Sequence, residues 1–216
     1  MNKLLSALVA SAIILCGAPA SAQKTPEKIR LTGTSKDGAV LIRVPAVRAD
    51  YALMFSKDGK SGFLSRAYMM KVPGNYFSQS GFRYIARTLA PGRYRLDSVW
   101  QQATWSGCLA AGTLEFDVKP GEISYLGTLN AQELLESVQA QAVQKGRTVL
   151  GRGDIFVAHE GIAKPFLSDR SEAGVADART FAQTNMNGTG DLLKLGQVGE
   201  TSFAVSKASR AIEVCG

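Results

Sequence analysis

Seven short segments rich in β-forming residues lie between residues 39 and 129, and they constrain the fold more than any other feature. Turn signals such as Pro73-Gly74 separate them. Within one segment Tyr51, Leu53 and Phe55 share a face, because strand side chains alternate with a period of two. The segments are 39–44, 51–55, 63–72, 82–89, 94–100, 114–118 and 123–129. This number and spacing predict a seven-stranded antiparallel β-sandwich.

The pattern changes after residue 129, where helical spacing replaces strand alternation. Asn130 with Glu133 three positions later is typical of a capping box at a helix start. An apolar stripe follows, and it consists of Leu134, Leu135, Val138 and Ala142. The spacing predicts a helix that ends before Gly146 and packs its stripe on the sandwich.

A strand pair and a second helix are expected further along the chain. Residues 151–154 read Gly-Arg-Gly-Asp, which favours a turn, with 155–158 as the second arm of a strand pair. Asp169 and Glu172 favour a helix start. A stripe of Val175, Ala178 and Ala182 predicts that this helix runs toward residues 187–188. Residues 192–216 carry no pattern that predicts an element.

The N-terminus has the pattern of a secretory signal peptide. Lys3 precedes an apolar stretch over residues 4–15, and residues 20–22 read Ala-Ser-Ala, the small-x-small pattern that a signal peptidase recognises. This stretch is too short for a membrane span, which needs about 20 apolar residues. We predict cleavage after Ala22 and export to the periplasm or the extracellular space. A lipoprotein acylated on Cys16 and a buried core helix of a cytosolic protein are the alternatives.

These patterns together predict three parts of the chain. Residues 1–22 are the signal peptide, and residues 23–129 are a β-sandwich domain. Residues 130–216 form an extension of helices and short strands that packs on the sandwich. The expected fold class is therefore mainly β, with two short helices in the C-terminal third and no membrane span after the signal peptide.

Export changes what the cysteines are expected to do. The chain has three, and Cys16 leaves with the signal peptide, so the mature chain keeps Cys108 and Cys215. An even number in an oxidising compartment favours one disulfide between them. Two free buried thiols or a bridge between two chains are the alternatives. The chain has no C-x-x-C motif that would indicate a redox role.

Two Pro-Gly turns that lead into tyrosine-bearing segments carry a resemblance to known families. They lie in Leu89-Ala-Pro-Gly-Arg-Tyr-Arg-Leu96 and Phe116-Asp-Val-Lys-Pro-Gly-Glu-Ile-Ser-Tyr-Leu-Gly127. The pattern resembles uncharacterised exported bacterial proteins, and its L-x-P-G-x-Y part is similar to carboxypeptidase-regulatory-like and transthyretin-like modules. It covers about 40 residues and nothing after residue 130. The resemblance implies a transthyretin-like or immunoglobulin-like sandwich that serves as an accessory or binding module, and it supplies no catalytic residues.

Few residues are candidates for catalysis or metal binding. His159 is the one histidine, with Glu160 beside it and Asp154 upstream, and Ala163 stands where a zincin needs its second histidine. The chain has no G-x-S-x-G, Walker A or G-x-G-x-x-G motif. We therefore expect a strand-end histidine with a solvated tip, no metal and no cofactor.

A carboxylate pair is the second candidate for catalysis. Glu115 and Asp117 alternate along a predicted strand and so share one face. Paired carboxylates hydrolyse glycosidic bonds when they flank a cleft, but acids on one strand face are more typical of a solvated surface. A small periplasmic hydrolase that uses His159 or such acids is the alternative to a non-catalytic function.

Positive charge is concentrated in the predicted sandwich. The formal net charge is +7, and residues 43–95 contain ten basic residues interleaved with aromatic ones, against Asp50 and Asp58 alone. The ten are Arg43, Arg48, Lys57, Lys60, Arg66, Lys71, Arg83, Arg87, Arg93 and Arg95. Outside the cytosol such a face would attract lipid headgroups, lipopolysaccharide phosphates or wall polymers instead of nucleic acid. A basic surface that only aids solubility is the alternative.

The leading functional hypothesis is a non-catalytic protein of the cell envelope. It would act as a binding or accessory module that recognises another envelope protein or an anionic envelope component. Nucleic acid is not an expected partner. The sequence carries no signal for the identity of the partner or for the oligomeric state.

Overall fold

Most of the strand-forming segments fold into two stacked β-sheets, and the last two strands of the chain form a separate antiparallel pair. The computed structural model describes residues 29–58, 68–74, 81–147, 155–207 and 213–215. The first eight strands are β1 Gly38–Pro45, β2 Tyr51–Lys57, β3 Tyr68–Val72, β4 Phe82–Leu89, β5 Gly92–Gln101, β6 Trp105–Cys108, β7 Thr113–Val118 and β8 Ile123–Asn130. The later elements are α1 Gln132–Gln144, β9 Phe156–Ala158, β10 Phe166–Ser168, α2 Glu172–Asn185, β11 Leu193–Leu195, β12 Val198–Thr201, β13 Ser206–Lys207 and β14 Glu213–Val214.

The two sheets are mixed, with five and seven strands. In the first sheet the order is β10-β8-β1-β4, and β11 also pairs with β8. In the second sheet the order is β12-β7-β5-β2-β3, with β6 on β5 and β9 on β6. β1 with β8, β11 with β8, and β6 with β9 are parallel pairs, and the other pairs in these two sheets are antiparallel.

The prediction of a mainly β fold with two helices is confirmed, and each of the seven predicted segments contains a strand. The predicted strand number and the purely antiparallel pairing are wrong. Short strands from the C-terminal third add to both sheets, and the long connection from β1 to β8 allows those two strands to run in the same direction.

Two hydrophobic layers hold the sheets and helices together. Between the sheets, Tyr51, Leu53 and Phe55 of β2 are buried, as their alternation predicts. The apolar stripe of α1 joins this layer, and its four predicted residues are all buried. The second layer lies on the outer face of the first sheet, where Leu41 and Tyr125 belong to one buried cluster with Ala178 and Phe181 of α2.

The two Pro-Gly turns have different structures. At Pro120 the Glu122 N–H donates to the Lys119 carbonyl at 3.4 Å, and Gly121 has φ 68°, as a type II turn requires. After Pro91 the chain enters β5 directly, and the Tyr94 hydroxyl donates to the Ala90 carbonyl at 2.7 Å. This bond is typical of a tyrosine corner, so the tyrosine of the L-x-P-G-x-Y motif fixes the entry to a strand.

Helix α2 begins differently from the prediction. The Ser171 hydroxyl accepts the Gly174 N–H at 3.3 Å and so caps the helix, a role that was predicted for Asp169. The Asp169 carboxylate instead accepts the Thr128 hydroxyl at 2.7 Å and pairs with Arg43 at 3.4 Å. Asp169 therefore joins the helix entry to the first sheet.

The predicted disulfide between Cys108 and Cys215 is confirmed, with the two Cα atoms 5.4 Å apart. Residues 156–158 of the predicted second arm near residue 151 form strand β9, which pairs in parallel with β6, and the predicted turn lies outside the described residues. The predicted signal peptide lies outside them as well. No helix in the described part of the chain is long and apolar enough to cross a membrane.

Candidate functional site

The outer face of the second sheet is divided into a covered half and an open half. The covered half lies under residues 202–207 and 213–215, the described residues after β12, which we call the C-terminal segment. The Phe203 N–H donates to the Ala110 carbonyl at 3.0 Å, and the Phe203 ring lies 3.8 Å from the guanidinium carbon of Arg95. Further along, Cys215 is bonded to Cys108 on β6. The C-terminal segment is therefore attached to this face by a backbone hydrogen bond, by the contact of the Phe203 ring with Arg95 and by the disulfide of Cys215.

A buried ion pair lies beneath the C-terminal segment. The Arg95 Nε donates to the Asp97 carboxylate at 2.7 Å, and the Ser56 hydroxyl donates to the same oxygen at 3.1 Å. Arg95 is 8% exposed and Asp97 6%. Asp97 has no partner residue in β2, because the register shifts there and leaves it in a bulge. Burial raises the pKa of Asp97 above its ordinary value, and the hydrogen bonds from Arg95 and Ser56 offset part of the rise.

The open half is built from two rows of side chains that cross strands β3, β2 and β5. Register places Lys71, Ala52 and Trp100 side by side in one row. The neighbouring row consists of Met69, Met54 and Ser98. Directly opposed residues of antiparallel strands have Cβ atoms about 5 Å apart, so each row forms a continuous surface.

These rows line an open groove of about 720 Å³, which we call the Ala52 groove. Ala52 stands on the central strand between Lys71 and Trp100, so the surface is lowest at this residue, whereas Met54 rises from the same strand in the next row. Met69 is 37% exposed, and Trp100 is partly buried and donates its indole N–H to the Ser98 hydroxyl at 3.1 Å. The apolar residues that line the groove are Tyr51, Ala52, Met54, Met69, Val72, Pro73, Trp100 and Ala103.

Two charged residues also line the Ala52 groove. Lys71 is exposed, and no carboxylate of the described residues forms an ion pair with it. The Asp50 carboxylate accepts the backbone N–H of Gly74, which gives that anion a local partner. The groove is therefore an apolar surface with one cation and one partly satisfied anion at its margin.

The β5–β6 turn forms one rim of the groove and has an uncommon backbone. Gln102 and Ala103 have φ values of 46° and 56°, and the Thr104 N–H donates to the Gln101 carbonyl at 3.0 Å. Two successive positive φ angles are typical of a type I′ turn, in which Asn-Gly is preferred. A side chain in this conformation is strained, and such strain clusters at binding sites.

Replacing Ala103 by Gly is expected to raise the free energy of unfolding by about 0.5–1 kcal/mol, since glycine adopts positive φ without strain. Denaturant unfolding of both proteins measures the change. Ala111 lies in an exposed turn without positive φ. The matched change Ala111→Gly should therefore lower stability by about 0.5 kcal/mol. Equal losses in both variants would contradict a strained turn.

The eight described members of the predicted basic set do not lie on one face. Lys60 and Arg66 lie outside the described residues. Arg95 is buried under the C-terminal segment. Arg93 lies on the outer face of the second sheet, and Arg43 on that of the first sheet stacks 4.1 Å from the Phe82 ring centroid.

The remaining basic residues are spread over the strand ends and one edge of the sandwich. Arg87 of β4 donates to the Met69 carbonyl of β3, where the edges of the two sheets meet. Arg83 lies on the same strand, Lys57 ends β2, and Arg48 lies between β1 and β2. Lys71 is the one member of the predicted set that lines the Ala52 groove among the described residues. Anion binding by the set as a whole stays a prediction.

The predicted catalytic candidates lie apart from the groove. Glu115 and Asp117 share one strand face, as predicted, and Arg93 pairs with both at 3.8 Å and 3.2 Å. His159 directly follows β9 and is partly buried. Within the described ranges no group of three or more His, Cys, Asp or Glu residues could hold a metal ion. The hydrolase alternative stays a prediction.

Sequence reasoning missed the Ala52 groove, although one signal was present. Residues 51–55 are apolar at every position, so one apolar set had to lie on the outward face of β2. Comparisons with protein-family models, with curated proteins and with solved structures found no match to the chain. What the groove can bind is therefore decided by its own shape, apolar surface and charge.

Proposed function

We propose that this chain is a non-catalytic binding protein of the cell envelope and that the Ala52 groove is its binding site. The observation that carries the proposal is an open apolar groove on a face whose other half is covered by the chain itself. A volume of 720 Å³ lies within the range of small-molecule sites, about 300–1,000 Å³. Most of the residues that line the groove are apolar, as is typical of ligand sites.

The groove residues suit an apolar ligand of variable shape. Met54 and Met69 have unbranched, polarisable side chains that adapt to the surface they meet. Trp100 adds a large apolar ring that is already held by its bond to Ser98. A ligand with an apolar body would lie over Ala52 and remove these three side chains from water.

Export to the envelope is part of this proposal. It is supported by the signal-peptide pattern of residues 1–22, and a Cys108–Cys215 disulfide is compatible with an oxidising compartment. The L-x-P-G-x-Y motif with its tyrosine corner supports a sandwich of the transthyretin-like or immunoglobulin-like kind. In that setting the module would bind a ligand for transport or presentation without changing it.

Trp100 provides a direct test, because it lines the groove while the second tryptophan, Trp105, is 3% exposed. In a Trp105→Phe background, decanol is expected to produce a saturable blue shift of the Trp100 emission as the ring loses water. Ala52→Leu fills the low part of the groove and should weaken this binding about tenfold or more, a loss of about 1.4 kcal/mol.

Thr88→Leu is the matched control, since Thr88 is an exposed strand residue of the first sheet. It adds the same side chain to a different face and should leave the decanol titration unchanged. Circular dichroism of each variant checks that the fold is retained. A titration without saturation, or one that Ala52→Leu leaves intact, would refute the groove as the binding site.

A further inference from the structure

We infer that the ligand of the Ala52 groove is an amphiphile with one unbranched acyl chain and an anionic head group that lies at Lys71. The inference rests on the proposed function, since it names the chemical class that the groove binds. Three features of the groove carry it: the pairing of its backbone, its width and the position of its charges.

The backbone beneath the groove favours an alkyl chain over a peptide. β2 forms the floor, and its backbone is paired with β3 on one side and β5 on the other. At the edge strand β3, the Met69 carbonyl already accepts from Arg87. A peptide lying on this floor would bury N–H and C=O groups without partners, each at a cost of about 1–3 kcal/mol. An alkyl chain has no such groups to satisfy.

The width of the groove favours a single chain. Neighbouring strands lie about 4.8 Å apart, so the walls on β3 and β5 rise from backbones about 10 Å apart. Lys71 projects from one side and Trp100 from the other, with Ala52 between them and Met54 in the next row. One extended chain that passes over Ala52 would contact all three of these larger side chains.

The charges at the margin favour an anionic head group. Lys71 lies in the same row as Ala52, on the outer face of β3 and exposed to solvent. Asp50 is the other charged residue that lines the groove, and its carboxylate already accepts the Gly74 N–H. A carboxylate or phosphate beside Lys71 would therefore gain an ion pair, while a cationic head group there would be repelled.

Head groups can be compared on one chain, with Trp100 emission of the Trp105→Phe protein as the readout. Dodecanoate is expected to bind about fivefold more tightly than dodecanol, which is the gain in affinity that an exposed ion pair can provide. Dodecylammonium is expected to bind more weakly than either. Lys71→Ala should make dodecanoate and dodecanol equal, and Lys71→Glu should reverse the order of the two charged ligands. Lys57→Ala, which removes a cation at the far end of β2, should keep the original order.

The outcomes separate this inference from the function on which it rests. Equal affinity for all three amphiphiles, lost in Ala52→Leu, would refute the anionic head group and leave the groove as a binding site. Tighter binding of dodecylammonium would assign the head group to Asp50 and refute the role of Lys71. A capped Leu-Val-Leu peptide that binds better than dodecanol would refute the acyl chain. Displacement of dodecanoate by free acetate would show that the head group alone binds, and would also refute it. Absence of saturable binding by any ligand would refute both proposals.

Discussion

Replacing both Cys108 and Cys215 by alanine is expected to lower the free energy of unfolding by about 4 kcal/mol. The bridge closes a ring with a sequence separation of 107 residues. In the chain-entropy model, closing a loop of about 100 residues lowers the entropy of the unfolded chain, and this stabilises the folded state by at most about 4.7 kcal/mol. Since domains of this size are stable by about 5–15 kcal/mol, the loss is a large share of the total. Denaturant unfolding of the two proteins at neutral pH measures it.

The reduced wild-type protein is the control for this comparison. Its unfolding curve should match that of the double alanine variant, because both lack the ring while only one has altered side chains. The C-terminal segment should also exchange its amide hydrogens faster, since Phe203 loses the nearby anchor at Cys215. A loss below about 1 kcal/mol would indicate that the unfolded chain remains compact without the bridge.

Removing one partner of the buried pair is expected to destabilise the protein strongly. Asp97→Ala leaves the Arg95 guanidinium without its carboxylate on a face that is shielded from water. Breaking a buried pair in this way costs about 3–5 kcal/mol, whereas replacing both partners by apolar residues of similar volume costs far less. Arg95→Met with Asp97→Leu should therefore recover most of the stability lost in Asp97→Ala, as thermal or denaturant unfolding would show. A double variant as unstable as the single one would contradict a charge effect.

The Asp97 carboxylate is also expected to change how the free energy of unfolding depends on pH. Burial raises the pKa of Asp97 in the folded protein above the ordinary value of about 3.9. Between these two pKa values the folded state binds more protons than the unfolded state, so the contribution of Asp97 to stability falls as pH rises. Asp97→Asn should remove this part of the slope in unfolding measurements made as the pH rises from about 4. An unchanged slope in that variant would contradict a raised pKa.

Local sequence patterns predicted the longer strands of the two sheets. The short strands and the pairings between segments far apart in sequence could not be predicted in this way. Residues close together in sequence are enough to show the alternation of Tyr51, Leu53 and Phe55 and the apolar stripe of α1. Strands β9 to β11 have three residues each, too few for a period of two to be visible. Parallel pairing of β1 with β8 depends on segments far apart in sequence, for which no local signal exists.

The described members of the predicted basic set are dispersed for a related physical reason. A count of charges along the chain does not show which face of which sheet each residue occupies. Arg93 and Arg95 are two positions apart and share one strand face, yet Arg93 pairs with two partly buried carboxylates and Arg95 is covered by Phe203. The covering segment comes from another part of the chain, so sequence alone could not predict which cation would remain in solvent.

The pairing of β1 with β8 has a consequence for how the chain reaches its fold. Strands β2 to β7 lie between these two in sequence. The edge of β1 that pairs with β8 therefore stays unpaired until the chain has continued past β7 and returned to β1. Sheets dominated by such distant pairings fold in about milliseconds to seconds, more slowly than helical bundles. Until β8 pairs with it, the apolar strand β1 has one unpaired edge that can associate with other chains.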